Sequence, residues 1–227
     1  DAIEEMQKLP EKSVDLILTD LPYGTTKNKW DIVIPFNILW DSFIRVLKPN
    51  GKIVLTAAEP FSSLLITSNL KWFKYDIIWE KTVSSGQLNV KHMPLRNHEQ
   101  ILIFYNKSGT YNEQREPGLP YKIKRKAPEN NNYNQQKDSS KENDGYRHAK
   151  SVIKIPNPRI KGGHPTQKPI ELFERLIKTY SNENDLVLDC CAGSFVTARA
   201  CNNLNRNWIC IEKDKNYFDR YVAKANT

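Results

Sequence analysis

The sequence predicts an α/β fold built on a parallel sheet, and three observations carry that prediction. Short apolar runs alternate with amphipathic stretches, two of the runs end in an acid, and a small-residue turn joins one run directly to a helix. Val14-Asp15-Leu16-Ile17-Leu18-Thr19 reads as an interior strand ending in Asp20. Phe36, Leu39, Trp40, Phe43, Val46 and Leu47 recur at helical spacing. Lys48-Pro49-Asn50-Gly51 then stops the helix with a basic last turn and turn formers. Strands follow at Lys52 to Ala57, Tyr75 to Trp79 and Gln100 to Tyr105. Further on, Pro169 sits where a first helical residue should, with Ile170, Phe173, Leu176, Ile177 and Tyr180 on one face. Leu186 to Cys191 is a strand, Ala192-Gly193-Ser194 a turn, and a helix starts at about Phe195. Trp208 to Glu212 is another strand and Tyr217 to about Lys224 a closing helix. Strand, small-residue turn, helix and acid-ended strand make the nucleotide-binding half of a doubly wound sheet.

At 227 residues the chain is one large domain, or a core with one insert. Hydrophobic residues at 39% and charged ones at 26% exclude wholesale disorder. No run approaches the roughly 18 apolar residues of a membrane span. No secretory signal is visible, and the chain begins at Asp1 rather than a methionine, so a preceding segment is expected. Cys190, Cys191, Cys201 and Cys210 have neither metal-knuckle spacing nor a disulfide framework, which points to buried thiols in a reducing cytoplasm. No pair of His, Cys or acidic residues has ligand spacing with a matching second half, so no metal is expected.

The net charge of +8 is concentrated. Between Lys107 and Lys161 thirteen basic residues face six acidic ones, a local excess of +7. Such a concentrated surplus suggests a polyanion, with Lys122, Lys124, Arg125 and Lys126 its densest cluster. Residues 108–163 show no sustained period and include Asn130-Asn131-Asn132-Tyr133-Asn134-Gln135-Gln136, so a basic, partly flexible insert is predicted. A solubilising surface loop is the competing reading of the same composition.

Two constellations carry chemistry. Glu212 lies 23 positions after Asp189 at the end of the next strand, where an acid accepts hydrogen bonds from ribose hydroxyls. Gly193 is the only glycine between Asp189 and the chain end, which argues against NAD and against a phosphate cradle. A ligand with ribose but no phosphate fits better. Asp20-Leu21-Pro22-Tyr23-Gly24 follows the first strand directly, at the edge where such folds bind ligands. Pro22 stiffens the loop and Tyr23 offers a flat face for a base. A carboxylate plus a main-chain carbonyl suits an exocyclic amine whose nitrogen must present its lone pair.

Asp20-Leu21-Pro22-Tyr23 resembles the Asp-Pro-Pro-Tyr motif of DNA amino-methyltransferases, which methylate the exocyclic nitrogen of adenine or cytosine. Leu188-Asp189-Cys190-Cys191-Ala192-Gly193-Ser194 is similar to their S-adenosylmethionine motif, and His164-Pro165-Thr166-Gln167-Lys168-Pro169 to their third signature. The order of the three is that of the β class, and the resemblance covers essentially the whole chain. It implies a Rossmann-like methyltransferase fold with circularly permuted motif order. It divides the chain into a catalytic half (1–107), a target-recognition insert (108–163) and a cofactor half (164–227).

On these residues the resemblance implies that Asp20 and the Leu21 carbonyl accept from the target amine, within a catalytic set of Asp20, Leu21, Pro22 and Tyr23. Tyr23 would stack on a base flipped from the duplex. Asp189, Cys191, Gly193, Ser194, Thr166 and Lys168 would hold the methionine end of S-adenosylmethionine, Glu212 its ribose, and Asp1 would approach its adenine. Adenine N6 is the expected target because Asp rather than Ser heads the catalytic motif, with cytosine N4 or a silent DNA-binding relative as alternatives. Double-stranded DNA is the implied partner, with a homodimer, no membrane and no metal, in the cytoplasm of a bacterial or phage-type system. Two positions depart from the pattern. Leu21 replaces a proline, at a cost in loop rigidity. Phe195 replaces a glycine, and its ring crowds the cofactor unless it turns into the core.

Overall fold

The computed structural model describes residues 1–28, 30–127, 139–158 and 167–225, apart from the side chain of Lys224. In chain order these begin with α1 (Ala2–Gln7), β1 (Val14–Asp20), α2 (Phe36–Val46), β2 (Leu47–Ala57), α3 (Phe61–Ser68), β3 (Phe73–Ser85) and β4 (Arg96–Phe104). Four short strands follow: β5 (Glu116–Pro117), β6 (Tyr121–Arg125), β7 (Ser139–Asn143) and β8 (Tyr146–Arg147). The chain closes with β9 (Val152–Lys154), α4 (Ile170–Tyr180), β10 (Leu186–Asp189), α5 (Val196–Asn203), β11 (Asn207–Cys210) and α6 (Lys215–Ala225).

A seven-stranded sheet in the order β11-β10-β1-β2-β4-β3-β9 forms the core. β4 runs antiparallel to both neighbours, and the other pairings are parallel. β1 is interior because both of its faces are buried. Ile17 packs into one apolar cluster with Leu39, Phe43 and Phe61, while Leu16 and Leu18 pack into another with Phe173, Leu176 and Ala200. Full burial of each such side chain is worth about 1.5–3 kcal/mol, which outweighs any local preference of the segment. The helix after β1 therefore lies on one face, and the helix after β10 on the other. Neighbouring strands whose connections diverge leave a crevice at their C-terminal ends. Asp20 and Asp189 end those two strands.

Five elements depart from the sequence expectation. α1 and α3 were not foreseen; α3 (FSSLLITS) is short and rich in Ser and β-branched residues, and burial of Phe61, Ser62 and Leu65 holds it. β3 runs to Ser85, well past Trp79. Lys48 to Gly51 is extended within β2, where the register jumps from Val14 opposite Leu47 to Leu16 opposite Lys52. β9 lies inside the stretch expected to be insert, yet it joins the main sheet: Ile153 pairs with Trp79 and is 5% exposed. One buried apolar residue on a three-residue strand leaves no period to read.

Residues Glu113–Lys150 form a separate compact unit. β6 pairs antiparallel with β7, and β5 with β8. Gly145 is the one buried residue among those described in this unit, so polar staples replace a core. Arg115 donates to both oxygens of Asp144 at 3.2 and 2.9 Å, and the Arg147 guanidinium lies 4.7 Å from the Tyr121 ring centre.

Candidate active site

Asp20 leaves β1 two residues beyond the last apolar position, so its carboxylate stands clear of the core. Oδ1 accepts from Tyr23 Oη at 2.8 Å and from Thr56 Oγ1 on the neighbouring β2. Oδ2 accepts from Lys168 Nζ at 2.5 Å. The next residue, Leu21, is buried, which fixes the backbone carrying its carbonyl without the usual proline. The Tyr23 ring stacks on Phe61 with centroids 5.0 Å apart at 21°. The Lys168 ammonium lies 5.9 Å from the centre of the same ring. Burial, with Asp20 and Glu99 nearby, pushes the Tyr23 phenol well above its ordinary value, so it stays a neutral donor.

The loop after Tyr23 is organised by Asp31, which sequence reasoning missed. Its Oδ1 accepts from the Gly24 N–H at 2.8 Å, and its Oδ2 from the N–H groups of Thr25 and Thr26 at 2.9 and 2.6 Å. Burial works against its charge, but the Thr26 hydroxyl and these backbone donors prevail and hold the carboxyl below its usual range. An acid seven residues after a turn glycine is the only signal, and it is a weak one.

Glu99 and Lys81 were missed as well. Lys168 Nζ lies 3.4 Å from Glu99 Oε2, and Lys81 Nζ donates to Glu99 Oε1 at 3.0 Å. All three side chains are largely buried, Lys168 and Lys81 at 8% exposure and Glu99 at 15%. Burial opposes the Lys168 charge, but Asp20 and Glu99 hold its ammonium above the ordinary lysine value. Burial likewise pushes Glu99 up, and the two lysines outweigh it. Lys168, expected beside the methionine end of the cofactor, is held by the carboxylates of Asp20 and Glu99.

At the neighbouring strand end Asp189 is 2% exposed. Its Oδ1 accepts from Thr19 Oγ1 at 2.7 Å and the Cys191 N–H at 3.0 Å, and Oδ2 accepts from Thr197 Oγ1. Burial dominates these donors and raises its pKa to about 6. Glu212 lies just past β11, where Oε2 accepts from the Gly193 N–H and Oε1 from the Asp214 N–H, each at 2.7 Å. Ser194 is buried in the same turn. Asp1 caps α1 through the Ile3 N–H, and its Oδ2 lies 3.7 Å from Lys213 Nζ, next to Glu212. Thr166 falls outside the described residues.

Phe195 takes φ 55° and ψ 32°, the left-handed conformation that a glycine would adopt freely. Its ring is 1% exposed and packs with Ala192, Ala198, Tyr221 and Ala225, 5.8 Å from the Phe218 ring. The ring therefore turns into the core and leaves the turn clear. Carboxylate acceptors at Glu212 and Asp1, a side-chain-free turn at Gly193 and the buried Phe195 ring fit a ligand with ribose hydroxyls and an amine.

Comparison with known proteins agrees with this arrangement. The N6/N4 DNA methylase family model matches residues 14–224. The Type II methyltransferase M.HpaI of Haemophilus parainfluenzae is 32% identical over 235 residues, spanning 96% of this chain and 70% of the relative. M1.MboII of Moraxella bovis is 29% identical over 246 residues, spanning 97% and 91%. The solved M1.HpyAVI–SAM complex matches with a TM-score of 0.64 at 26% identity, covering 99% of this chain and 96% of that one. The PvuII methyltransferase, described as cytosine-N4-specific, matches at 0.67 with 17% identity, covering 100% and 83%; that likeness shows the fold alone. A sheet with acids at two adjoining strand ends, a family match over nearly the whole chain and Type II relatives converge: this chain belongs to the N6/N4 DNA methylase family, enzymes that use S-adenosylmethionine to methylate DNA.

Proposed function

We infer that the chain methylates the exocyclic N6 amine of adenine in double-stranded DNA. The observation that supports this reading is the Asp20 carboxylate at the end of β1, next to the main-chain carbonyl of a buried Leu21. Two acceptors engage the two N–H groups of an amine and turn its lone pair out of the base plane. Tyr23 stacks on the base, and the target must leave the duplex to reach it. S-adenosylmethionine supplies an activated methyl group on a sulfonium. The residues of this chain hold and orient: Asp1, Gly193, Ser194 and Glu212 on the cofactor side, with Asp189 and Cys191 shaping the turn, and Asp20, Leu21, Pro22 and Tyr23 on the base side. Orientation and exclusion of water supply much of the rate in such an in-line transfer. The basic residues Lys122, Lys124, Arg125 and Lys126 supply phosphate contacts.

Transfer of tritiated methyl groups to unmethylated DNA, followed by digestion to nucleosides, tests the reading. Label in N6-methyladenine is expected. Label in N4-methylcytosine would replace adenine by cytosine as the target, and DNA binding without any incorporation would make the chain a silent relative.

A further inference from the structure

Both oxygens of Asp20 are engaged before any base arrives. Tyr23 and Thr56 occupy Oδ1, and the Lys168 ammonium occupies Oδ2 at 2.5 Å. An incoming amine must share or displace one of these donors. The ammonium is the worst of the three to leave in place, because the nitrogen gains positive charge as the methyl group arrives, and like charges repel strongly in a partly buried site. A second seat for that ammonium lies beside it. Glu99 Oε2 is buried, has no hydrogen-bond partner among the described residues, and sits 3.4 Å from Lys168 Nζ. An unmet buried acceptor is costly, and a charge-assisted bond would close to about 2.8 Å, so the displacement required is small. Lys81 fixes the other oxygen of Glu99 at 3.0 Å and orients the carboxylate.

We propose that Glu99 is a positioning residue that takes the Lys168 ammonium from Asp20 as the target base enters, freeing Asp20 Oδ2 for the amine. Lys168 is thereby a shared donor between two carboxylates, and Lys81 the anchor of the second. The proposal rests on the assignment of Asp20 as the acceptor for the target amine.

The test compares wild type, Glu99→Gln, Lys168→Met and the double variant. It reads kcat, KM for DNA, calorimetric affinity for S-adenosylmethionine, and fluorescence of 2-aminopurine at the target position. Glu99→Gln should lower kcat about 100-fold, the scale of a misplaced reacting group. It should also weaken the fluorescence rise of base entry and leave cofactor affinity unchanged. Lys168→Met should cost less, and the double variant should match Lys168→Met, so that removing the lysine restores activity lost with Glu99. Independent roles give the opposite pattern, with the double variant worse than either single one, whereas a purely structural ion pair moves the denaturant melts and leaves the kcat of the folded enzyme unchanged. A worse double variant, or a Glu99→Gln enzyme with wild-type kcat, overturns the proposal. Should Glu99→Gln fail to fold, Glu99→Asp carries the test: it withdraws the seat by one methylene, and its loss must likewise vanish in the Lys168→Met background. Retained transfer in Asp20→Ala would instead overturn the reading of Asp20 itself, whatever the Glu99 variants do.

Discussion

Asp20 and Asp189 end neighbouring parallel strands, on either side of the point where the chain's connections diverge, and the fold treats them in opposite ways. Asp189 is sealed in: hydroxyls of Thr19 and Thr197 and one backbone N–H engage both oxygens, with no cation against it among the described residues, and burial raises its pKa to about 6. Asp20 lies at the open edge and is held by an ammonium that is itself shared with a second acid. Burial with neutral donors makes a rigid strut for the turn that follows β10. Partial exposure beside a shared cation leaves a carboxylate that, on the proposed reading, a substrate amine can claim. The difference follows from reach, since Asp20 lies three residues past the last β1–β10 pair, Ile17 with Leu188, whereas Asp189 lies one residue past it.

The sharpest way to break this comparison is Asp20→Ala. Transfer should fall by about 10³-fold or more, beyond the usual loss of one preorganised polar group, while calorimetric affinity for S-adenosylmethionine stays close to wild type. Equal loss of cofactor affinity would erase the distinction between the two strand ends. Next in size is the pH dependence of Asp189. Its folded pKa lies above its ordinary value, so its contribution to stability is full below about pH 4 and is lost as pH rises through about 6. The shift corresponds to about 3 kcal/mol, and denaturant melts of Asp189→Asn should lack that component. Asp31, held low, acts with the opposite sign: its stabilisation is present above the ordinary carboxylate range and is lost on acidification.

Phe195→Gly weighs two effects on the same turn. Removing the buried ring costs about 3–5 kcal/mol, and relief of the left-handed backbone returns about 1–2 kcal/mol. Core loss wins, so the variant should melt earlier than wild type; a stabilised variant would show that backbone strain dominates there. Tyr23→Ala should weaken base binding by about 1–3 kcal/mol, read with an abasic-site competitor. Smallest for the site itself is the joint replacement of Lys122, Lys124, Arg125 and Lys126 by alanine. Lys122 and Lys124 alternate with Arg125 across the β6 ribbon, and Lys122 already pairs with Glu142 at 3.0 Å. About two phosphates lost should flatten the log-affinity against log-salt slope by about 2, with cofactor affinity unmoved.

Much of this was legible in the sequence wherever one side-chain pattern encodes one physical requirement. β1 and β10 read as apolar runs because both faces of an interior strand are buried, and α2 and α4 read as stripes because only one face is. Asp20 and Glu212 stood out as strand-end acids. α3 did not, since its serines and β-branched residues carry no helical signal and only packing of Phe61 and Leu65 holds it. Lys168 illustrates the limit most clearly: its motif was recognisable, but its pairing with Asp20 and Glu99 was not.

By itself the sequence determined the main strands and helices of the core, the two acids at the crevice, the basic excess near the middle of the chain and the family motifs, because each is local or periodic. Tertiary structure alone decided that Glu99 and Lys81 join Asp20 through Lys168, that Phe195 turns inward, that Asp31 ties the loop after Tyr23, and that β9 completes the sheet. Those outcomes depend on which buried charges find partners across distances of up to 148 positions in the chain, and burial and charge pairing leave no period in a sequence.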